Sequence, residues 1–436
     1  MLKQKILLIL MCSASIASAQ KVGFTEYDLK NGLHVILHQD KTAPVVVTSV
    51  MYHVGSKDEV TSRTGFAHFF EHLLFEGSAN IKRGEFFKIV SSKGGNNNAN
   101  TTQDRTFYYE VFPSNQLETG LWLESERMLH PVINEIGVKT QNEVVKEEKR
   151  QRVDNTPYGN FIAEIMKRLF TKHPYNWVPI GSMNHLDSAT LQEFISFNKK
   201  YYIPNNAVLV IAGDIDLEKT KSLVEDYFAD IPAGTPITRT NISEEQITKQ
   251  VVDTAYDNNI QIPAIMTAYR TPGMTSKESL ALQLASDVLS QGNSSRMFKK
   301  MVDEKKNSLT VGSFNYALED YGAYITFALP SGPVKLETLL QDMDDEIIKL
   351  QNELISETEF TKIRNQYENN YIGKNARMLG IAENLAAGYS FHNKNTNKIN
   401  EELIEINKVT RNDIQNVAKK YLNPNQRVVL YYLPKK

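Results

Sequence analysis

The beginning of the chain alternates between apolar and polar residues. Three runs follow the period of two that is typical of β-strands: residues 25–29, 33–38 and 45–52. Asn31 and Gly32 lie between the first two runs, and this pair favours a tight hairpin turn. His34 and His38 share one face of the second strand and could hold a metal, but the alternating polar positions of a half-exposed strand explain them more simply.

Longer segments then show the period of an α-helix and alternate with further strands. In the first half, helices are predicted from Gly65 onward and over residues 84–92, 117–153 with a break near Pro131, 160–170, 190–202 and 217–228, and strands over residues 106–112 and 205–213. In the second half, strands are predicted over residues 262–269 and within 309–329, and helices over residues 277–290, around Met297, and over 334–354 and 357–387.

One stretch occurs twice at an offset of 220 residues. Thr190 precedes Pro204 by fourteen residues, Thr410 precedes Pro424 by the same distance, and an apolar strand follows each proline. Such a match argues for a duplicated α+β unit of about 200 residues.

The composition is that of a soluble globular protein, with 41% hydrophobic and 23% charged residues. A length of 436 residues suggests two to four domains. The 49 basic residues nearly balance the 51 acidic ones, which gives no reason to expect binding to nucleic acid or to an anionic membrane surface.

The N-terminus has the pattern of a secretory signal peptide. Lys3 and Lys5 precede an apolar run over residues 6–11, and small residues follow up to Ala19, so residues 1–19 are predicted to be removed. The run is too short to span a bilayer. Cys12, the only cysteine, follows a methionine, which is a poor residue before a lipoprotein cysteine. We therefore expect an exported protein without disulfides, periplasmic in a Gram-negative bacterium, with secretion as the alternative.

Residues 65–77 contain His68, Glu71 and His72 in the order H-x-x-E-H. On a helix the two histidines lie about 40° apart around the axis, so both imidazoles can reach one ion, and Glu71 can act on a water beside it. The alternative is a salt-bridge cluster on an amphipathic helix. Burying these groups among the strongly apolar flanks without a compensating partner would cost several kcal/mol, which favours a metal.

A catalytic zinc usually takes three protein ligands and one water, so a third ligand must come from elsewhere in the chain. The charged helix after Val138 is the obvious donor, because Glu143 and Glu147 share one of its faces. For most charges on this helix, a solvated surface is the simpler interpretation.

The chain resembles the pitrilysin-type (inverzincin) zinc metallopeptidases, the family that includes mitochondrial processing peptidase and its bacterial single-chain, two-repeat relatives. The resemblance runs from about residue 24 to the end. It rests on ordered motifs: His53-Val54-Gly55-Ser56, residues 65–77, Asn98-Ala99 with Thr101, residues 144–148, Pro157-Tyr158-Gly159, His173-Pro174-Tyr175, residues 202–206 and Gly213-Asp214.

The resemblance implies two homologous α+β repeats, each a mostly antiparallel sheet covered by helices on one side. The Pro- and Gly-rich residues 231–236 are the best linker in the chain. We therefore predict a first repeat over residues 20–231 with the zinc site, a linker over residues 232–248, and a non-catalytic second repeat over residues 249–436.

For the site, the resemblance implies that His68, His72 and Glu147 hold Zn²⁺, with Glu148 as the alternative third ligand, and that Glu71 is the general base. It also implies a free edge strand on which the peptide substrate lies through main-chain hydrogen bonds. This strand carries four predicted substrate-binding residues: Asn98, Ala99, Asn100 and Thr101. Residues 94–97 are interpreted as a loop.

The chain departs from the family pattern at two places. Family members often have another carboxylate seven residues before the ligand glutamate, and Thr140 stands there if the ligand is Glu147. Many relatives also carry an Arg and a Tyr seven apart in the second repeat, and no such pair occurs between Gly292 and Gly312. In the family, two two-repeat units close into a chamber, so we expect a heterodimer with a zinc-lacking relative that carries the pair, or else a homodimer.

The sequence thus predicts an exported zinc endopeptidase that cleaves peptides or unfolded segments held as an added β-strand. A non-catalytic peptide-binding or scaffold subunit of a heteromeric peptidase is the alternative. Such subunits usually have eroded motifs, whereas His68, Glu71 and His72 all stand here.

Overall fold

The computed structural model describes residues 21–435, so the predicted signal peptide lies outside the described residues. The described part of the first half, residues 21–231, contains six strands: β1 (Thr25–Asp28), β2 (His34–Gln39), β3 (Val45–Tyr52), β4 (Asn96–Thr101), β5 (Thr106–Pro113) and β6 (Ala207–Gly213). It also contains eight α-helices: α1 (Phe66–Leu73), α2 (Phe86–Ser92), α3 (Leu117–Leu129), α4 (Glu135–Lys149), α5 (Phe161–Leu169), α6 (Met183–Ser188), α7 (Leu191–Tyr201) and α8 (Leu217–Phe228).

The second half contains the strands β7 (Val251–Asp257), β8 (Ala264–Pro272), β9 (Ser308–Ala317), β10 (Tyr321–Pro330) and β11 (Arg427–Pro434). Its α-helices are α9 (Lys277–Ser290), α10 (Leu336–Asn352), α11 (Glu357–Asn375), α12 (Met378–Phe391), α13 (Lys398–Lys408) and α14 (Arg411–Tyr421). Residues 232–250, which include the predicted linker, form neither helix nor strand.

The two halves form two sheets with matching connections. The first sheet has the order β1-β2-β6-β3-β5-β4, and the second has the order β7-β11-β8-β10-β9. In each sheet one pair is parallel, β2 with β6 and β7 with β11, and the remaining neighbours are antiparallel. The prediction of two mostly antiparallel α+β repeats is confirmed.

The duplicated stretch folds identically in both repeats. Thr190 caps α7 and Thr410 caps α14, and each hydroxyl accepts a hydrogen bond from the backbone N–H three residues later. A short 3₁₀ turn at Pro204–Asn206 or Pro424–Gln426 then leads into the strand that lies inside the sheet, β6 or β11. The capping residue, the proline and the apolar run are local signals, which is why the sequence reveals them.

Helices pack on both faces of each sheet, and on one face the helix belongs to the other repeat. On the first sheet this helix is α12, where Leu385 packs with Ile36 and Val210. On the second sheet it is α5, where Leu169 packs with Met266. The helices of a repeat thus cover one face of its own sheet, as expected, and an exchanged helix from the other repeat seals the opposite face.

The exchange of helices explains where sequence-based predictions were wrong. His34 and His38 are only 5% and 7% exposed, because α12 covers a strand that was expected to be half-exposed. His34 stacks on Tyr389 of α12 at 3.5 Å and lies 2.8 Å from Asp28, while His38 contacts the Gly23 carbonyl. The two histidines therefore have separate partners.

Three further differences concern element bounds. The helix predicted over residues 357–387 breaks at Arg377, whose backbone is extended, because α11 packs on its own repeat and α12 crosses to the first sheet. β7 was not predicted, since most of its side chains are exposed on an edge strand. Residues 96 and 97 belong to β4 rather than to a loop.

The tip of the β9–β10 hairpin of the second repeat contacts the first repeat through charged groups. Lys57 lies 3.1 Å from Asp104, 2.5 Å from Glu319 and 3.2 Å from Asp320. Tyr175 donates a 2.5 Å hydrogen bond to Asp104. The side chains of Lys57 and Asp104 are only 6% and 2% exposed, so the contact between them is buried, and the cluster fixes the hairpin against the turn that follows β4.

Within residues 21–435, no helix combines the length and the apolar composition that a membrane span requires.

Candidate metal centre

Helix α1 has one apolar face and one polar face. Four buried side chains form the apolar face: Phe66, Phe69, Phe70 and Leu73. Phe66 and Phe69 pack against Phe194 of α7, with ring centroids 4.6 and 4.8 Å apart. The helical period leaves the polar residues of the motif on the side that faces α4 and β4.

The two histidines of α1 meet a carboxylate of α4. His72 Nε2 lies 3.0 Å from Glu148 Oε2, and His68 Nε2 lies 3.4 Å from the same oxygen. Among the described residues, this is the one group of three His, Cys, Asp or Glu side chains with ligand atoms close enough to hold a metal ion. Arg152 contacts the other oxygen of Glu148 at 2.7 Å and orients the carboxylate.

The structure places Glu148, and not the predicted Glu147, beside the two histidines. Val145 of α4 is fully buried, and Glu148 lies three residues later on the same helical face. Glu147 lies about 200° around the axis from Val145, so its side chain is 51% exposed and pairs with Arg150 and Gln151. Glu143, the other candidate, is 65% exposed and pairs with Lys146.

The donor set fits a catalytic zinc ion. Two imidazoles and one carboxylate are a common three-ligand set that leaves a position open, and ligands 2.0–2.2 Å from a tetrahedral ion lie about 3.3–3.6 Å from one another. The observed 3.4 Å lies within this range, and the observed 3.0 Å is a few tenths of an ångström shorter. Burial lowers the pKa of His68 to about 4, so its imidazole is neutral and can offer a lone pair at neutral pH.

The surroundings of a buried carboxylate oxygen support the same conclusion. Glu148 Oε2 is buried, and the polar atoms that face it within the described part of the chain are the Nε2 atoms of His68 and His72. A buried carboxylate oxygen facing two imidazole nitrogens is costly unless a cation lies between them. His68, His72 and Glu148 therefore form a site that a divalent cation would complete.

Glu71 lies beside the three ligand candidates without joining them. Its Oε2 accepts a 2.6 Å hydrogen bond from the Thr101 hydroxyl on β4. Burial raises the pKa of the Glu71 carboxyl, while the hydrogen bond from Thr101 acts in the opposite direction. A carboxylate with a raised pKa next to a metal site is suited to accept and return protons near neutral pH.

Strand β4 is an edge of the first sheet, because it pairs with β5 and has no second neighbour among the described strands. The four predicted substrate-binding residues all lie on it. Asn98 Oδ1 accepts a 2.9 Å hydrogen bond from the Ala99 backbone N–H. Asn100 accepts a hydrogen bond from Arg105, and Thr101 holds Glu71, so β4 is directly connected to the candidate base.

Sequence reasoning did not identify Arg105 or the second role of Thr101. Arg105 also donates a 2.5 Å hydrogen bond to Glu383 of α12 and thereby connects β4 to the second repeat. No sequence signal joins two residues 278 positions apart. The hydrogen bond from the Thr101 hydroxyl to Glu71 depends on how β4 packs beside α1, so the sequence alone does not predict it.

Two family models match the chain consecutively. The model described as "Insulinase (Peptidase family M16)" matches residues 34–176, and the model described as "Peptidase M16 inactive domain" matches residues 188–367. Together they span most of both repeats. The chain belongs to peptidase family M16. His68, Glu71, His72 and Glu148 all lie within the first match, and the inactive-domain match lies outside the site.

Relatives of this M16 chain match over almost its whole length. The zinc protease PqqE of Helicobacter pylori is 28% identical over 419 residues, which cover 93% of this chain and 92% of the relative. An uncharacterized zinc protease of Rickettsia felis is 25% identical over 403 residues, which cover 92% of this chain and 95% of the relative.

Solved structures share the fold. A protease from Helicobacter pylori superposes with a TM-score of 0.89 at 28% identity and covers 94% of this chain and 99% of its own. The periplasmic protease PqqL from Escherichia coli gives a TM-score of 0.75 at 18% identity and covers 94% of this chain but 47% of its own. At that identity the second likeness concerns the fold alone.

With Glu148 in place of Glu147 beside the histidines, a different residue stands at the position where M16 members often have another carboxylate. Seven residues before Glu148 stands Gln141 rather than Thr140, and it too lacks a carboxylate. The Gln141 amide donates to Glu76, which follows α1 and also pairs with Arg83. A carboxylate thus lies beside this position, but another segment of the chain supplies it.

Proposed function

We propose that this M16 protein is a zinc-dependent endopeptidase that cleaves peptides or unfolded segments held as an added strand on β4. The observation that carries the proposal is the meeting of His68, His72 and Glu148 beside Glu71, which Thr101 ties to the edge strand. One carboxylate therefore lies next to both the metal ligands and the strand on which a peptide would lie.

Each side chain has a distinct task in this proposal. His68, His72 and Glu148 would hold the ion, and zinc supplies Lewis-acid chemistry when it is bound. Thr101 holds Oε2 of Glu71, which leaves Oε1 to take a proton from the attacking water. Glu71 then returns this proton to the leaving amine, so that one carboxyl serves first as base and then as acid.

The edge strand accounts for the kind of substrate. A peptide that adds to β4 pairs through main-chain N–H and C=O groups, so that its side-chain sequence matters little. Only an extended segment can pair in this way, which excludes folded helices and closed sheets. The Asn98 side chain accepts a hydrogen bond from one backbone N–H of the strand, that of Ala99, and a bound peptide would replace this acceptor.

We expect the purified chain to bind about one zinc ion and to cleave an unfolded protein but not its folded form. Removing zinc with a chelator should reduce cleavage to background, and added zinc should restore it. Metal analysis and gel-based cleavage assays measure both effects, with the partner described below added where it is needed. Cleavage that persists after complete metal removal would contradict the proposal.

We also propose that the active particle is a heterodimer with a zinc-lacking relative, with a homodimer as the alternative. The support is the absence of an Arg and a Tyr seven apart between Gly292 and Gly312, groups that in the family resemblance bind the substrate backbone. This chain would then hold the ion and the edge strand, and its partner would hold the rest of the peptide.

A comparison of the chain alone with the chain plus its partner tests this proposal. We expect turnover of the chain alone to rise at least about tenfold when a zinc-lacking relative with the pair is added, because binding energy from remote substrate contacts raises the rate. Zinc content should stay the same in both samples. Full activity of the isolated chain, as a monomer or a homodimer, would overturn the heterodimer.

Export is part of the proposed function. The predicted signal peptide supports it, and a fold relative, PqqL of Escherichia coli, is described as periplasmic. A non-catalytic scaffold subunit is the competing function, and it has less support because the candidate base and the candidate ligands are all present and close together.

A further inference from the structure

The first turn of α1 depends on a carboxylate from outside the helix. Gly65 occupies the N-cap position with a φ of 102° and has no side chain that could accept from the first backbone N–H groups. Glu59, six residues earlier, replaces such a cap. Its Oε2 accepts from Gly65 N–H at 2.9 Å, and its Oε1 accepts from Ala67 N–H at 2.8 Å.

Glu59 is itself held in place by Trp177. The indole N–H lies 3.1 Å from Glu59 Oε2 and 2.9 Å from the carbonyl oxygen of Ser56, and it donates to both. Trp177 directly follows the 3₁₀ turn Pro174–Asn176. Both oxygens of Glu59 thus receive N–H donors, and these donors come from two separate segments of the chain.

The site of Glu59 is costly to maintain. The residue is 6% exposed, and burial acts to raise the pKa of its carboxyl, while the hydrogen bonds from Ala67, Gly65 and Trp177 act in the opposite direction and favour the carboxylate. Placing a carboxyl in such surroundings costs free energy that an apolar residue would not cost. The hydrogen bonds to the first turn of α1 are the contacts that offset this cost.

A displacement of this first turn would also displace the two candidate metal ligands on α1. Ala67 precedes His68, and α1 has only eight residues, so its first turn and its ligands cannot move independently. Glu148 belongs to α4, which the buried Val145 fixes separately. The distances from both histidines to Glu148 therefore depend on where α1 begins, and a metal site tolerates displacements of only about 0.5 Å.

Backbone packing restricts this end of α1 from one side. A side chain at Gly181 would lie 2.3 Å from Gly65 N, so the two glycine backbones are in direct contact. Thr64 accepts a 3.1 Å hydrogen bond from Ser182 N–H and lies 2.9 Å from His185 Nδ1. These contacts restrict the helix start on the side of residues 181–185. Glu59 binds it separately, through the N–H groups of Gly65 and Ala67.

We propose that Glu59 is a positioning residue for the metal centre, which fixes the start of α1 so that His68 and His72 meet Glu148. This inference rests on the proposed zinc site. It also makes a claim about the metal-free protein, because the capping of α1 does not require the ion.

The variant Glu59→Gln tests the inference with the full-length chain. An amide keeps the shape but places an N–H₂ group against one of the N–H donors, so one hydrogen bond is lost. We expect zinc affinity, measured by competition with a chromophoric chelator, to fall 10–100-fold, as for other residues that orient ligands. kcat should fall while KM stays within about twofold, since β4 is not contacted.

The control is Asp342→Asn in the second repeat. Asp342 is also a buried carboxylate and accepts hydrogen bonds from Lys305 and Asn307, but it lies on α10 and does not contact the site. We expect this variant to lower the melting temperature and to leave zinc affinity within about twofold of wild type. Hydrogen exchange of the metal-free proteins should show faster exchange over residues 65–69 in the Glu59 variant alone.

The outcomes separate the inference from the proposed function. Wild-type zinc affinity in a folded Glu59→Gln protein would overturn the positioning role, whatever its melting temperature. If the wild-type chain binds no zinc, the proposed function fails, and exchange over residues 65–69 still decides whether Glu59 caps α1. If Glu59→Gln does not fold, Trp177→Phe replaces it, and unchanged zinc affinity and exchange there would overturn the inference.

Discussion

Replacement of Glu71 by glutamine is expected to lower kcat/KM by about 10²–10⁴-fold, the range that a general base contributes. The amide can still accept the hydrogen bond from Thr101, so the geometry is kept while the ability to take a proton is lost. Zinc affinity should stay within about twofold, because Glu71 is not one of the three clustered ligand candidates. Peptide cleavage and chelator competition measure the two effects.

Thr101→Val is the matched control for this prediction. It removes the hydrogen bond to Glu71 but keeps the carboxylate, so it tests orientation without removing the base. We expect a loss of roughly tenfold or less, about the worth of one net hydrogen bond. If Glu71→Gln turned over substrate at close to the wild-type rate, the assigned mechanism would be wrong, and a scaffold function would become the better interpretation.

The second large effect is expected at adjacent glutamates of α4. Glu148→Gln should weaken zinc binding by at least about 100-fold, because a direct ligand matters at least as much as the groups that orient ligands. Glu147→Gln should leave zinc affinity within about twofold, since Glu147 is half-exposed and its pairs with Arg150 and Gln151 are surface contacts of small energy.

The two variants make a well-matched comparison, because both replace a glutamate of α4 by glutamine and both change the net charge by the same amount. Calorimetry or chelator competition on both variants gives the ratio directly. Cleavage should follow the same order, with activity lost in the Glu148 variant and kept in the Glu147 variant. The reverse order would return the third ligand to Glu147 and would contradict the geometry of α4 described above.

The second repeat contributes to the candidate site although it holds none of the proposed ligands. Arg105 connects Asn100 on β4 to Glu383 of α12. The β9–β10 hairpin holds the turn after β4 through Asp104, whose carboxylate accepts from the Glu319 N–H at 2.9 Å. The edge strand is therefore fixed at its C-terminal end by the other half of the chain. The second repeat thus has a structural role at the candidate site.

The sequence by itself determined the features that depend on local spacing. The positions of His68, Glu71 and His72 on one face of a helix follow from its 3.6-residue period. The two repeats follow from a capping threonine, a proline and an apolar strand that recur at the same offset. Each of these patterns is contained in a short stretch of the chain and can be read, or compared with its second copy, without knowledge of the tertiary structure.

Only the tertiary structure decided which glutamate lies beside the two histidines, that α5 and α12 each pack on the sheet of the other repeat, and that Glu59 supports α1. Val144 and Val145 are adjacent and equally apolar, so the sequence does not show which of them faces the core, and that choice alone selects Glu148 over Glu147. The exchanged helices and Glu59 depend on which surfaces meet when the chain closes. A site assembled from separate segments is fixed by packing, and packing has no local signature in the sequence.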